Sequence, residues 1–312
     1  MKVRLLHILA PTALLLAPAV QGQSQKTASH APRPGGPSLV YRLTDADSTV
    51  YLAGSVHMLR ESDLPIPGAI MKAYEDSQRL VFEIDMKSSS DIGMAMKLRA
   101  MGSYPAGETI ESHLSPGTYA KLKQYFADRN TPFSLFSSLK PGMMVLTISS
   151  VEAMKLKARP DLGVELQLFT KATEEGKPSS GLETLEFQVT LLDSLPEKDL
   201  DALLSESLDH IEEVPKMLAK TIDAWREGDL KTLEEVVNEQ LEESPQFNEL
   251  MLAKRNASWV PKIKEALARK DNVMIVVGAA HLFGTQGVLA LLRQEGLQAE
   301  MVRNPTVPAS KP

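Results

Sequence analysis

Two histidines of this chain sit in matching surroundings. Residues 50–57 read VYLAGSVH and residues 273–284 read VMIVVGAAHLFG. In each, an apolar β-type run reaches a glycine, Gly54 or Gly278, and His57 or His281 follows three residues later. Glycine turns where other residues clash and lets a second backbone approach closely, and small neighbours leave room around an imidazole. A histidine just past the C-terminal end of a buried strand stands at the rim of a sheet, where open α/β folds place their sites. Two of them could converge on one metal ion or on one reacting carbonyl. Glu83 joins them as the acid within RLVFEI, residues 79–84, since a charge at the end of a buried strand is costly unless paired or bound to a metal. Neutral imidazoles with a carboxylate suit Zn²⁺, Mn²⁺ or Co²⁺. An open position on such an ion holds a water, lowers its pKa and polarises a carbonyl. The plainer reading makes Glu83 the partner of a surface lysine.

Further groups could assist. Glu165 and Glu183 are acids against apolar neighbours, in GVELQLF and GLETLEFQ, and either could relay a proton or simply cap a helix. Arg255 and Asn256 lie side by side in KRNASWV. A guanidinium near a metal-bound carbonyl would steady the developing oxyanion, although such a pair on a charged helix ordinarily faces solvent. Of the other histidines, His7 and His30 fall near the N-terminus, and His113 and His210 lie in polar stretches read as surface. The chain has no cysteine, which removes thiolate ligands, cysteine nucleophiles and disulfides. Neither a Gly-x-Ser-x-Gly elbow nor a His-Glu-x-x-His helix is present, so those serine hydrolases and zincins do not fit. There is no glycine-rich phosphate loop.

These residues need a frame. Residues 1–22 read as a cleaved secretory signal, with Lys2 and Arg4 before an apolar run broken by Pro11 and Pro18. Residues 23–37, rich in Pro, Gly, Ser and Gln, read as a disordered lead-in. A single domain is expected over 38–303, with a loose tail over 304–312. Within it, 38–43 and 49–53 form a hairpin around a polar turn, and 79–84, 273–277 and 299–302 are further strands. Helices are expected over about 68–77, 118–129, 143–156 and 285–294, and a set of charged, heptad-like surface helices fills 197–270. The methionines of the middle segment are expected in helix cores rather than in a flexible peptide groove. The formal net charge of −6 and the lack of a basic stripe argue against nucleic acid as a partner. No second apolar run is long enough to span a bilayer, so the mature chain is expected to be exported, periplasmic or secreted, with a peptide or small molecule as its substrate.

The ordered series YLAGSVH, LVFEID, GVELQLFTKATEEGKPSSGLETLEFQ, AWREGD, RNASW and VVGAAHLFGTQGVLALLRQEG resembles the TraB/GumN family, which includes the animal Tiki proteins, over about residues 39–302. The resemblance implies a mixed α/β (α+β) fold, with a central mixed β-sheet flanked by helices and a mainly helical middle insertion. That fold is distantly similar to ChaN-like and erythromycin-esterase-like proteins. It also implies a metal-dependent protease activity, as described for Tiki members. His57 and His281 match the family's two histidines, Glu83 the acid after the second strand, and Arg255 and Asn256 its Arg-Asn pair. At Glu165 family members often carry Asp, so this chain has a carboxylate of longer reach there. The expectation is a metallopeptidase with His57, Glu83 and His281 on the ion, Glu165 or Glu183 as proton relay, and Arg255 with Asn256 at the oxyanion. A haem-, iron- or small-ligand-binding protein and a metal-dependent esterase are the alternatives.

Overall fold

The computed structural model describes residues 33–89, 92–243 and 245–306, so the expected signal over 1–22 and most of the lead-in lie outside the described residues. The expected hairpin forms from β1 (Val40–Thr44) and β2 (Thr49–Ser55), antiparallel, with Thr44 opposite Thr49. Its turn is held by Asp45, whose carboxylate accepts the Asp47 and Ser48 N–H groups at 3.2 and 2.9 Å. Then follow α1 (Gly68–Asp76), β3 (Arg79–Ile84), α2 (Met86–Ser89), α3 (Ile92–Met101), α4 (Pro116–Asp128), α5 (Pro141–Met154) and α6 (Val164–Glu174). Next come β4 (Ser179–Glu183), α7 (Leu185–Asp193), α8 (Glu197–Asp209), α9 (Val214–Glu227), α10 (Leu230–Glu243), α11 (Pro245–Asn248) and α12 (Lys254–Leu267). The chain closes with β5 (Val273–Gly278), α13 (Val288–Gln294) and β6 (Glu300–Val302). The fold is mixed α/β, as expected.

The sheet runs β4-β3-β5-β2-β1-β6. The first four strands are parallel, and β1 and β6 add antiparallel pairs at one side. Alternation along the strands decides the layers. Val50, Leu52, Val273, Ile275 and Val277 turn to one face, where Trp259 and Ile263 of α12 and Leu292 of α13 cover them. Tyr51, Ala53, Leu80, Phe82, Met274 and Val276 turn to the other, under Ile70 and Tyr74 of α1, Leu168 of α6 and Ile222 and Trp225 of α9. Every residue of β5 is buried, the pattern of a central parallel strand covered on both sides. A separate helical core gathers α4, α5, α8 and α10 around Leu122, Phe126, Met144, Leu204 and Val237. Met143 and Met144 are buried there as expected, whereas Met96 faces solvent.

Two details extend the expected frame. The polar SSGLE segment forms strand β4 without a strand pattern of its own. Its burial is confined to one residue, Leu182, and its position comes from pairing with β3. The lead-in and tail also meet: Gly35 N–H donates to the Asn304 carbonyl at 3.1 Å, and Asn304 N–H to the Gly36 carbonyl at 2.9 Å. Residues on either side of the 38–303 stretch are thus joined by backbone hydrogen bonds. No helix among the described residues is long and apolar enough to cross a membrane.

Candidate functional site

The sheet order brings the sequence candidates to one edge. Strand β5 returns between β3 and β2, so the C-terminal ends of four parallel strands deliver, in spatial order, Glu183 from β4, Glu83 from β3, His281 after β5 and His57 after β2. This is where parallel sheets open a crevice. The two histidine segments are neighbours but not copies in register. Ser55 pairs with Gly278 and Gly54 with Val277, so Gly54 lies inside β2 while Gly278 ends β5. Neither glycine has a positive φ. A Cβ on Gly54 would instead press on Leu39 and Leu282 at 2.9 Å, and its carbonyl accepts the Trp225 indole N–H at 2.8 Å. Gly54 serves close packing, not a turn.

At the accessible side, His57 Nδ1–H donates to Glu165 Oε1 at 2.7 Å, with 11% and 12% of the two side chains exposed. The Ser55 hydroxyl donates to the same carboxylate oxygen. Glu165 reaches them because α6 docks end-on against β2: Val164 N–H donates to the Val56 carbonyl at 3.2 Å. Gly163 makes the approach possible, since a Cβ there would stand 2.1 Å from the His57 carbonyl oxygen. Burial alone would discharge His57, but the Glu165 charge and hydrogen bond, with a contribution from Glu83, push its pKa up to about 9. Among the described residues no hydrogen-bond partner takes His57 Nε2, the nitrogen left free to handle a proton.

Behind this pair lies a buried charged network centred on Arg255. Its Nη2–H donates to Glu83 at 2.5 Å, its Nε–H to Glu183 at 2.7 Å, and its Nη1–H to the Met251 carbonyl at 2.8 Å. Side-chain exposure is 0% for Arg255 and 4% for Glu83, so solvent does not screen these contacts. A π-helical turn, Glu249–Ala253, leads into α12 and presents Met251, a local device common beside functional sites. Glu83 also accepts the Gly278 N–H at 2.6 Å. Burial would raise its pKa, but the positive charge of Arg255, helped by the histidines and the Gly278 N–H, holds it down at about 2. Glu183 accepts from Gln188 at 2.8 Å and from the Trp259 indole at 3.1 Å.

His281 is fixed as a neutral ring. Asn256 commits its amide N–H to the Gln286 carbonyl at 2.9 Å, which turns its oxygen to accept His281 Nδ1–H at 2.6 Å. His281 Nε2 is then the acceptor that faces Arg255 Nη1 at 3.3 Å. Burial first, and then the Arg255 and His57 charges, press its pKa down to about 3 against the pull of Glu83. Trp259 packs on the ring, centroids 4.4 Å apart.

All seven sequence candidates therefore meet at one sheet edge, in two groups with different tasks. His57 and Glu165 form the accessible pair; Glu83, Glu183, Arg255, Asn256 and His281 form the buried network. As three ligands of one divalent ion, His57, Glu83 and His281 do not fit. His57 keeps Nε2 free, but Glu83 accepts from Arg255 and Gly278, and His281 Nε2 faces Arg255 Nη1 at 3.3 Å. Among the described residues no three His, Cys, Asp or Glu side chains are grouped to hold a metal. Arg255 commits its N–H groups to Glu83, Glu183, the Met251 carbonyl and His281 Nε2, and one Asn256 N–H goes to the Gln286 carbonyl. Sequence reading missed Ser55, Gly163, Gln188 and Trp259. Only Trp259 had a signal: it stands four residues after Arg255, on the same helix face.

Comparison with known proteins places this geometry. The TraB/PrgY/gumN family profile matches residues 39–301, and the chain belongs to that family. It is 26% identical over 243 residues to the uncharacterized protein YbaP of Escherichia coli, covering 78% of this chain and 87% of that protein. It is 24% identical over 304 residues to metalloprotease TIKI2 of Danio rerio, 80% of this chain and 58% of the relative, and 22% identical to metalloprotease TIKI1 of the same animal, 81% and 61%. The chain thus spans less than two thirds of the TIKI proteins it matches. No solved structure matches it.

Proposed function

From its place in the TraB/PrgY/gumN family, we propose that this chain is an exported hydrolase, a peptidase by its likeness to the TIKI metalloproteases, in which His57 and Glu165 handle the proton of the attacking water. The observation that carries the reading is the His57–Glu165 pair at 2.7 Å, set at the sheet edge with Nε2 uncommitted. In its neutral form His57 takes a proton from water on Nε2, and the water oxygen bonds to the substrate carbonyl carbon. The carbon–nitrogen bond then breaks as the imidazolium returns that proton to the leaving nitrogen. Glu165 orients the ring through Nδ1–H and stabilises the imidazolium, and Ser55 fixes Glu165. Such acid–base work is worth about 10²- to 10⁴-fold in rate.

The resemblance to metalloproteases implies a Mn, Co or Zn ion, but the donors at this edge do not fit one as they stand, and the steps above use side chains alone. Export is supported by the signal-like start of the sequence, and a peptide substrate by the TIKI likeness. The test is a peptide pool beside a panel of short esters, with products read by mass spectrometry. Cleavage with addition of water by the wild type, lost in His57→Ala, is expected. Cleavage undiminished in His57→Ala would contradict the reading, and cleavage confined to esters would correct the substrate class.

A further inference from the structure

We propose that the Arg255 guanidinium is the resident cation of this strand-end site, standing where a divalent ion would bridge Glu83 and His281, so that the site takes no metal there. The contacts carry this. A transition-metal ion binds carboxylate oxygen and imidazole nitrogen at about 2.0–2.2 Å, and it needs lone pairs directed at a common point. Here the corresponding lone pairs are directed at Arg255, from Glu83 Oε2 at 2.5 Å and from His281 Nε2 at 3.3 Å. The second Glu83 oxygen points to the Gly278 N–H at 2.6 Å.

Arg255 is not a loose visitor that an ion could push aside. Its Nε–H holds Glu183 at 2.7 Å and its Nη1–H the Met251 carbonyl at 2.8 Å. Its displacement would strand Glu183 as a buried carboxylate without a counter-charge. The guanidinium fork suits this place, since it meets two carboxylates and a neutral imidazole in one plane of donors. Glu83 and Glu183 are thereby counter-ions, and His281 with Asn256 orients the cation rather than ligating a metal. Three strand ends and α12 are tied together in the process.

The inference concerns the same edge as the proposed hydrolysis and rests on that reading only for the activity arm of its test. Chelator-treated wild type, Glu83→Gln and His281→Ala are each dialysed against Zn²⁺, Mn²⁺ and Co²⁺, and bound metal is measured by mass spectrometry. Substoichiometric metal in the wild type is expected, as is any bound metal persisting unchanged in both variants, which would place it elsewhere. Stoichiometric metal in the wild type that is lost in Glu83→Gln or His281→Ala would overturn the proposal, whatever the activity. Arg255→Met is the second arm. A lowered Tm, partly recovered by added metal, is expected, and a wild-type Tm would count against the cation role; if this variant does not fold, the first arm still decides. Where hydrolysis is found, chelator should leave it intact; loss on chelation with recovery on adding back one of the three metals would also overturn the proposal.

Discussion

His57 and Glu165 meet at 2.7 Å although 108 residues separate them, and the Ser55 hydroxyl shares the same carboxylate oxygen. Strand β2 supplies Ser55, the residues just after it supply His57, and the first turn of α6 supplies Glu165. The pair is thus set by the docking of one helix on one strand end, and its electrostatics follow from that contact.

The pH dependence follows with its sign. Glu165 favours the charged imidazolium, so the basic form of His57 accumulates only as pH rises through about 9, and kcat/KM should climb along a limb near that value. In Glu165→Gln the limb should move to or below the ordinary imidazole value, as burial then dominates. By linkage, the pair's contribution to stability is complete below about pH 6.5, the unfolded value, and is lost as pH rises toward the folded value of about 9. A pH–rate profile of both proteins checks the first statement, and urea unfolding across the same range the second.

His281 should remain neutral, with the proton on Nδ1, from pH 5 upward, because Asn256 accepts that N–H and Arg255 donates to Nε2. Ring nitrogen shifts by NMR check this directly. Asn256→Ala leaves the buried Nδ1–H without its acceptor and should cost about 1–3 kcal/mol by urea unfolding.

Gln188 donates to Glu183 at 2.8 Å and reaches Glu83 at 3.5 Å, while its buried Oε1 has no hydrogen-bond partner among the described residues. Gln188→Leu removes a donor to a buried carboxylate and should cost about 1.5–3 kcal/mol. Gln188→Glu sets a third carboxylate beside two others and should cost more than Gln188→Leu at neutral pH, with the difference shrinking in acid. Paired urea titrations at two pH values separate these outcomes.

Gly163→Ala should lower both stability and activity, since the new Cβ would fall 2.1 Å from the His57 carbonyl oxygen. Overpacking of this kind costs about 1–3 kcal/mol. The loss of rate should exceed that of Ala substituted at the exposed Gly117, where a Cβ meets nothing within 4 Å.

Much of this site is legible in the sequence because three of its members break a local pattern. Glu83 interrupts an apolar strand, and His57 and His281 each follow one. The roles are less legible, since they depend on what arrives from elsewhere. Arg255 sits in a charged helical stretch that reads as solvent-facing, yet it is buried because Glu83 and Glu183, 172 and 72 residues away in sequence, neutralise it. A metal triad was the natural expectation for two histidines and an acid; the guanidinium that stands among them comes from α12 and leaves no trace in the strand motifs. Strand β4 is not legible because its polar residues carry no alternation, and its place is set by pairing with β3. Gly163 leaves no signal because its need lies in a contact with a distant carbonyl, not in its own φ of −59°.

The most direct test of the His57–Glu165 account is a double-mutant cycle on kcat/KM with the best peptide from the pool, using His57→Gln, Glu165→Gln and the double variant. His57→Gln should lose about 10²- to 10⁴-fold, and the double variant should lose no more, because the two act as a unit. A His57→Gln enzyme close to wild type, or losses that simply multiply, would contradict it.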